Sequence, residues 1–195
     1  MAEKMLQTTS VSAPARGRSR AAILLGAAII LFLATYVLAW WDALRLTSSY
    51  IDDANRSYQE GRYLDALVGY ETFDQEKREY VPRGGYLQID RIWSNRYALP
   101  APDEVRQAQD RIDDIIYSRL TLEDAEQFVQ ENIGRSNPAM GLIYLRLGEL
   151  YEEAGELRDA REIYESIPDL FPHDAELIER ARVDLERLLQ EHPDA

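Results

Sequence analysis

From Ala21 to Trp41 the chain reads AAILLGAAIILFLATYVLAWW, 21 residues without a charged side chain. A helix of that length reaches about 30 Å, the thickness of a bilayer's hydrocarbon core. The surface helix of a soluble domain keeps one face polar, and no face of this stretch carries a charge. Tyr36, Trp40 and Trp41 stand near its end, where amphipathic rings favour the membrane–water interface. Residues 21–41 therefore predict a single transmembrane helix, with the lipid bilayer as its partner. Arg16, Arg18 and Arg20 precede it, and Asp42, Asp52 and Asp53 follow. The positive-inside rule then keeps the N-terminus cytoplasmic and sends the remainder across the cell (inner) membrane, to the periplasmic or extracellular side. A cleaved signal peptide is the rival reading, with Val37-Leu38-Ala39 as the cleavage site. The apolar run exceeds the usual signal core of about 7–15 residues, and cleavage would leave Trp40-Trp41 as the new N-terminus. An uncleaved signal anchor is the better fit.

Residues 1–20 are rich in Ser, Thr, Ala and Arg, without an apolar period, and read as a disordered basic cytoplasmic tail of net charge +3. The whole chain carries −13, so residues 21–195 carry −16. A nucleic-acid partner needs a basic face for its phosphates, and this balance excludes one. Cysteine is absent, which removes disulfides, thiolate catalysis and cysteine metal sites. The two histidines, His173 and His192, each adjoin a proline near a helix end and read as turn residues. Adjacent carboxylates recur at Asp52-Asp53, Asp113-Asp114 and Glu152-Glu153, so no pair marks a site. Gly84-Gly85 is not a phosphate loop, because it lacks the Gly-Lys-Ser/Thr ending and no strand is expected before it. No catalytic, cofactor-binding or metal-binding residue is expected, and the chain does not read as an enzyme.

Residues 42–195 show helical spacing with no sustained period-two alternation. Asp42 to Glu60 continues the membrane helix outward, since nothing there breaks it. Gly61 gives a turn, and Tyr63, Ala66, Leu67 and Tyr70 form a second helical face. Pro82, Gly84-Gly85, Pro100 and Pro102 then punctuate an irregular insert, residues 81–102. Val105, Ala108, Ile112, Ile115 and Ile116 lie on one helical face. Thr121 to Asp124 reads as a capping box opening a helix with Leu122, Ala125, Phe128, Val129 and Ile133 as its stripe. Gly134 ends that helix, and Pro138 is expected at the first position of the next. The final helix follows Asp174, with Leu177, Ala181, Leu185 and Leu188 as its stripe. Seven helices are expected in this region, as three hairpins and a C-terminal capping helix.

One stretch is more specific. In YLRLGELYEEAGELRDAREIYESIPDLFP, residues 144–172, Tyr144 is followed by Leu147-Gly148 and Tyr151. Ala160, Tyr164 and Pro172 then stand 12, 16 and 24 residues after Gly148. This resembles the tetratricopeptide repeat, whose pattern is aromatic-x₂-Leu-Gly-x₂-Tyr, then Ala-x₃-Phe, then Pro. A weaker copy lies at 50–78, where Tyr50, Ala54, Ala66 and Tyr70 hold matching offsets. The resemblance implies an all-α fold: a transmembrane helix followed by repeats stacked as an α-solenoid. Gly148 and Ala160 would be small where two antiparallel helices cross, with Tyr144, Leu147, Tyr151 and Tyr164 packed around them. Gly155 would make the turn and Pro172 would stop the second helix, while Pro168 is expected to end it a turn early.

The resemblance further implies a concave groove lined by first helices, a protein partner and a non-enzymatic scaffold or adaptor role. Leu142, Leu145, Glu149, Glu152 and Glu153 would face that groove, which suits a partner segment bearing Lys or Arg. It suggests no clamp for a partner's C-terminal carboxylate, since Asn55 is the only candidate residue on that face. Tyr86, Trp93 and Tyr97 of the insert either line a partner site, lie against the membrane, or pack over the first hairpin. The layout is similar to bacterial translocon-associated and envelope-assembly repeat proteins. Two other readings fit less: an enzyme or substrate-binding subunit using the aromatic insert, and a mitochondrial outer-membrane receptor with cytosolic repeats.

Overall fold

The computed structural model describes residues 16–195 apart from 76, 96, 97, 136, 194 and 195, with side chains from residue 23 onward. Residues 1–15 of the expected tail, and Tyr97, lie outside the described residues. The chain divides into two compact units, Met1–Ala43 and Leu44–Ala195. Helix α1, Arg16–Gln59, runs through the boundary. It begins inside the stretch expected to be irregular, since no residue from Arg16 to Arg20 breaks a helix as proline does.

In the first unit most of the described apolar side chains are exposed. Ile23, Phe32 and Leu38 are each 70% exposed. Among the described residues this is the one helix long and apolar enough to cross a membrane. Thr35, its polar interruption, turns its hydroxyl back onto the Leu31 carbonyl at 2.9 Å, so the hydroxyl is satisfied within the helix.

The second unit opens on the remainder of α1, which buries Thr47, Ile51, Ala54 and Ser57 at helical spacing. Helix α2, Tyr63–Val68, is only six residues long. It stops at Gly69, whose φ of 77° suits glycine and where a Cβ would stand 2.4 Å from the Arg83 carbonyl oxygen. Tyr70 therefore does not continue the helix but starts strand β1, Tyr70–Asp74. That strand pairs antiparallel with β2, Glu79–Arg83, in the register Tyr70↔Arg83 to Asp74↔Glu79. The unit is thus not wholly helical, and the second helix of the weaker repeat copy is cut short at Val68.

The insert is also more regular than its punctuation implies. Val81–Arg83 belongs to β2, and helix α3 occupies Tyr86–Trp93. Pro82 is tolerated because a two-stranded ribbon has only edge strands. A strand does precede Gly84-Gly85, contrary to expectation, although the phosphate-loop ending is still missing from the sequence. α3 is the helix beyond the seven expected, which makes eight α-helices among the described residues.

Helix α4, Asp103–Asp114, passes into a π turn at Ile115–Arg119. Val105, Ala108, Ile115 and Ile116 are buried, as their spacing predicts. Thr121 caps α5, Leu122–Asn132, by accepting from the Asp124 N–H at 3.2 Å. Because α5 ends at Asn132, Ile133 leaves the expected stripe and is 73% exposed. Helix α6, Met140–Ala154, starts two residues later than Pro138 suggested, since Asn137 to Ala139 form a turn first. Gly155 makes the turn at φ 80°, and α7, Leu157–Leu170, follows. α7 runs through Pro168 rather than ending a turn before it. Asp174 caps α8, Ala175–Glu191, by accepting from the Leu177 N–H at 3.0 Å. Leu145, Ala160, Tyr164, Ile167, Leu177, Ala181 and Leu188 form one buried cluster joining α6, α7 and α8.

Candidate functional site

The α6–α7 hairpin is built as its repeat pattern requires. Gly148 faces Tyr164 so closely that a Cβ there would lie 2.6 Å from Tyr164 Cε1. Ala160 is fully buried at the same crossing, and Leu147 is buried beside it. Tyr144 packs its ring on Phe171, with centroids 5.9 Å apart, and its hydroxyl lies 3.0 Å from Ser166 Oγ. Tyr151 donates to Glu126 of α5 at 2.6 Å, tying the hairpin to the preceding one. Tyr164 donates to Glu152 at 3.1 Å. Burial and then the adjacent carboxylates push both tyrosines well above their ordinary pKa, so each remains a hydroxyl donor. Pro172 lies just beyond the end of α7 and is exposed.

The expected groove residues divide. Leu145 is fully buried in the α6–α7–α8 cluster and so is unavailable to a partner. Helix α6 is packed on more than one side, and its short run of leucines offers no way to tell a groove position from a core one. Leu142 is only partly buried. It lines an open depression of about 360 Å³ with Pro138, Phe171, Leu177 and Arg180 at the start of α6 and α8.

The three glutamates are not a bare acidic face. Glu149 pairs with Arg146 at 2.9 Å and with Arg180 at 3.8 Å. Glu153 accepts two hydrogen bonds from the Arg146 guanidinium, at 2.7 and 3.2 Å. Glu152 is held bidentately by Arg187 of α8. The Arg-bearing segment expected to meet these glutamates is in part the chain's own α8, through Arg180 and Arg187. Its arginines lie 31 and 35 residues from the glutamates they meet, a separation that no local pattern reveals.

Arg146 is the residue that sequence reasoning passed over. It is buried, and its Nε donates to the Ile116 carbonyl at 3.0 Å. The π turn frees that acceptor, because Leu120 N–H bonds Ile115 instead of Ile116. The guanidinium also lies 5.7 Å from the Tyr117 ring centroid, and Tyr117 in turn accepts from Arg180 at 3.2 Å. Burial alone would favour the neutral form of Arg146. Glu153 and Glu149 outweigh that, and its pKa stays above the ordinary arginine value. A charged residue inside the apolar run IYLRLGEL was the available signal.

The insert aromatics turn inward. Tyr86 is fully buried and donates to Asn55 Oδ1 at 2.7 Å. Burial raises its pKa to about 12, against the opposing field of Arg111. Trp93 is 7% exposed and donates to Thr47 Oγ1 at 2.8 Å. Both are anchored to α1, the first helix of the first hairpin. Among the described residues no three His, Asp or Glu side chains converge as a metal-ligand group.

Residues 143–174 match the tetratricopeptide repeat family. They span the α6–α7 hairpin and the turn before α8, which are the elements carrying the spacing described above. No curated protein matches the chain, and no solved structure does. A tetratricopeptide repeat suggests protein–protein interaction, and the family is generally one of non-enzymatic scaffolds.

Proposed function

We propose that the chain is a non-enzymatic scaffold or adaptor held at a bacterial inner membrane by residues 21–41. Its helical unit lies across the membrane from a cytoplasmic N-terminus. The single observation that carries this is the pairing of an exposed apolar helix segment with a tetratricopeptide repeat in one short chain. Exposed leucines and isoleucines in such number are a liability in water, where each forgoes about 1.5–3 kcal/mol of burial. A bilayer removes that liability without any protein contact. Partner binding falls on the depression at Leu142, where apolar surface meets the Arg180 guanidinium. The glutamates beside it act first to hold Arg146 and α8, so the partner need not be basic.

Topology is the test. Protease added to intact spheroplasts is expected to digest residues 42–195 and to spare an epitope placed in residues 1–20. Protection of the helical unit with digestion of the tail would reverse the orientation.

A further inference from the structure

Arginines that are partly or fully buried in the second unit follow a rule with one exception. Arg62, Arg83, Arg146, Arg161 and Arg180 each have a carboxylate within ion-pair distance. Arg111, on α4, is likewise partly buried, yet among the described residues its side chain has neither a hydrogen bond nor a carboxylate that close, and Asp114 feels only its field. Its guanidinium is instead stacked over the Tyr58 ring at 4.3 Å. Tyr58 is fixed in turn: its ring meets Tyr63 edge-on at 5.4 Å, and its hydroxyl donates to Asp114. Arg119, 5.8 Å from the Tyr63 ring, completes the cluster and reaches Asp114 at 3.4 Å. The cluster sits where the α1–α2 turn meets the end of α4, outside residues 143–174.

We infer that Arg111 is a docking point for a carboxylate side chain on a protein partner. A guanidinium stacked on an aromatic face keeps its planar N–H edges free, and those edges match a carboxylate bidentately. The stack fixes the side chain before binding, so less rotamer freedom is lost when a ligand arrives. Tyrosine and arginine are also the residue types that concentrate binding energy at interfaces. The surrounding charge selects the ligand. Residues 21–195 carry −16, so a polyanion such as nucleic acid is repelled at long range. A single Asp or Glu in an otherwise neutral or basic segment meets the short-range attraction of Arg111 and Arg119, and the one carboxylate of the cluster, Asp114, is already engaged by Tyr58 and Arg119. This surface is separate from the Leu142 depression and does not depend on it.

The test uses the full chain in detergent micelles and follows the Arg111 Nε–Hε resonance. The probes are the capped peptide Ac-Ala-Glu-Ala-NH₂, its Gln analogue and inorganic phosphate. The Glu peptide is expected to shift the resonance and to bind about tenfold more tightly than the Gln analogue, the ratio one charge-assisted pair provides at an accessible site. R111K, which keeps the charge and loses the fork, is expected to bind the Glu peptide more weakly than the parent, read from backbone shifts around Tyr58 and Asp114. Equal responses to the Glu and Gln peptides, no response to either, or tighter binding of phosphate than of the Glu peptide would each overturn the assignment.

Discussion

Arg146→Ala is expected to destabilise the Leu44–Ala195 unit by about 3–5 kcal/mol, the usual cost of removing one partner from a buried charge network. The loss has three parts in the structure. Glu149, whose side chain is 19% exposed, would keep its charge with only the distant Arg180 to balance it. The Ile116 carbonyl, freed by the π turn, would lose its donor. The Tyr117 ring would also lose the guanidinium that faces it at 5.7 Å. Urea unfolding of residues 44–195 measures the effect. Glu153→Gln is the control, since that carboxylate is 59% exposed and its pairing contributes at most about 1 kcal/mol. If Arg146→Ala lost no more than Glu153→Gln, the network would not hold α6 to the π turn.

Gly148→Leu should be nearly as damaging, for a steric reason. Even an alanine Cβ at 148 would meet Tyr164 Cε1 at 2.6 Å and Ile163 Cγ2 at 3.0 Å. Tyr164 has little freedom to retreat, because it is 1% exposed and tied to Glu152 through its hydroxyl. Overpacking of this kind costs about 1–3 kcal/mol. Replacing a mid-helix glycine by alanine otherwise gains about 1 kcal/mol of helix propensity. Any net loss in Gly148→Ala therefore shows the clash prevailing, and Gly148→Leu is expected to lose about 3 kcal/mol or more. Unchanged urea midpoints in both variants would remove the close α6–α7 crossing from the account.

The contrast between these two residues shows what the sequence made legible. Gly148 was readable because its neighbours stand at fixed offsets on one hairpin, and local spacing encodes local packing. The caps at Thr121 and Asp174 and the turn at Gly155 were readable for the same reason. Arg146 was not, since its acceptor depends on a π turn 30 residues earlier that no side-chain pattern announces. The β1–β2 hairpin escaped because its five-residue strands pair only with each other. Gly84-Gly85 looked like loop punctuation and Gly69 stood inside an expected helical face, but at all three positions a Cβ would run into backbone or the Tyr50 ring. Tyr86 and Trp93 were visible as aromatics. Their direction was set by Asn55 and Thr47, polar residues on α1 that a hydrophobic pattern ignores.

Residues 21–41 are proposed to hold the helical unit to a bilayer as an intact anchor. Alkaline carbonate extraction of membranes from cells making the full chain, beside cells making residues 44–195 alone, tests it most directly. The full chain is expected to stay in the membrane pellet with its N-terminal epitope intact, while residues 44–195 are released. Release of the full chain, or recovery of a soluble product that begins at Trp40, would contradict it.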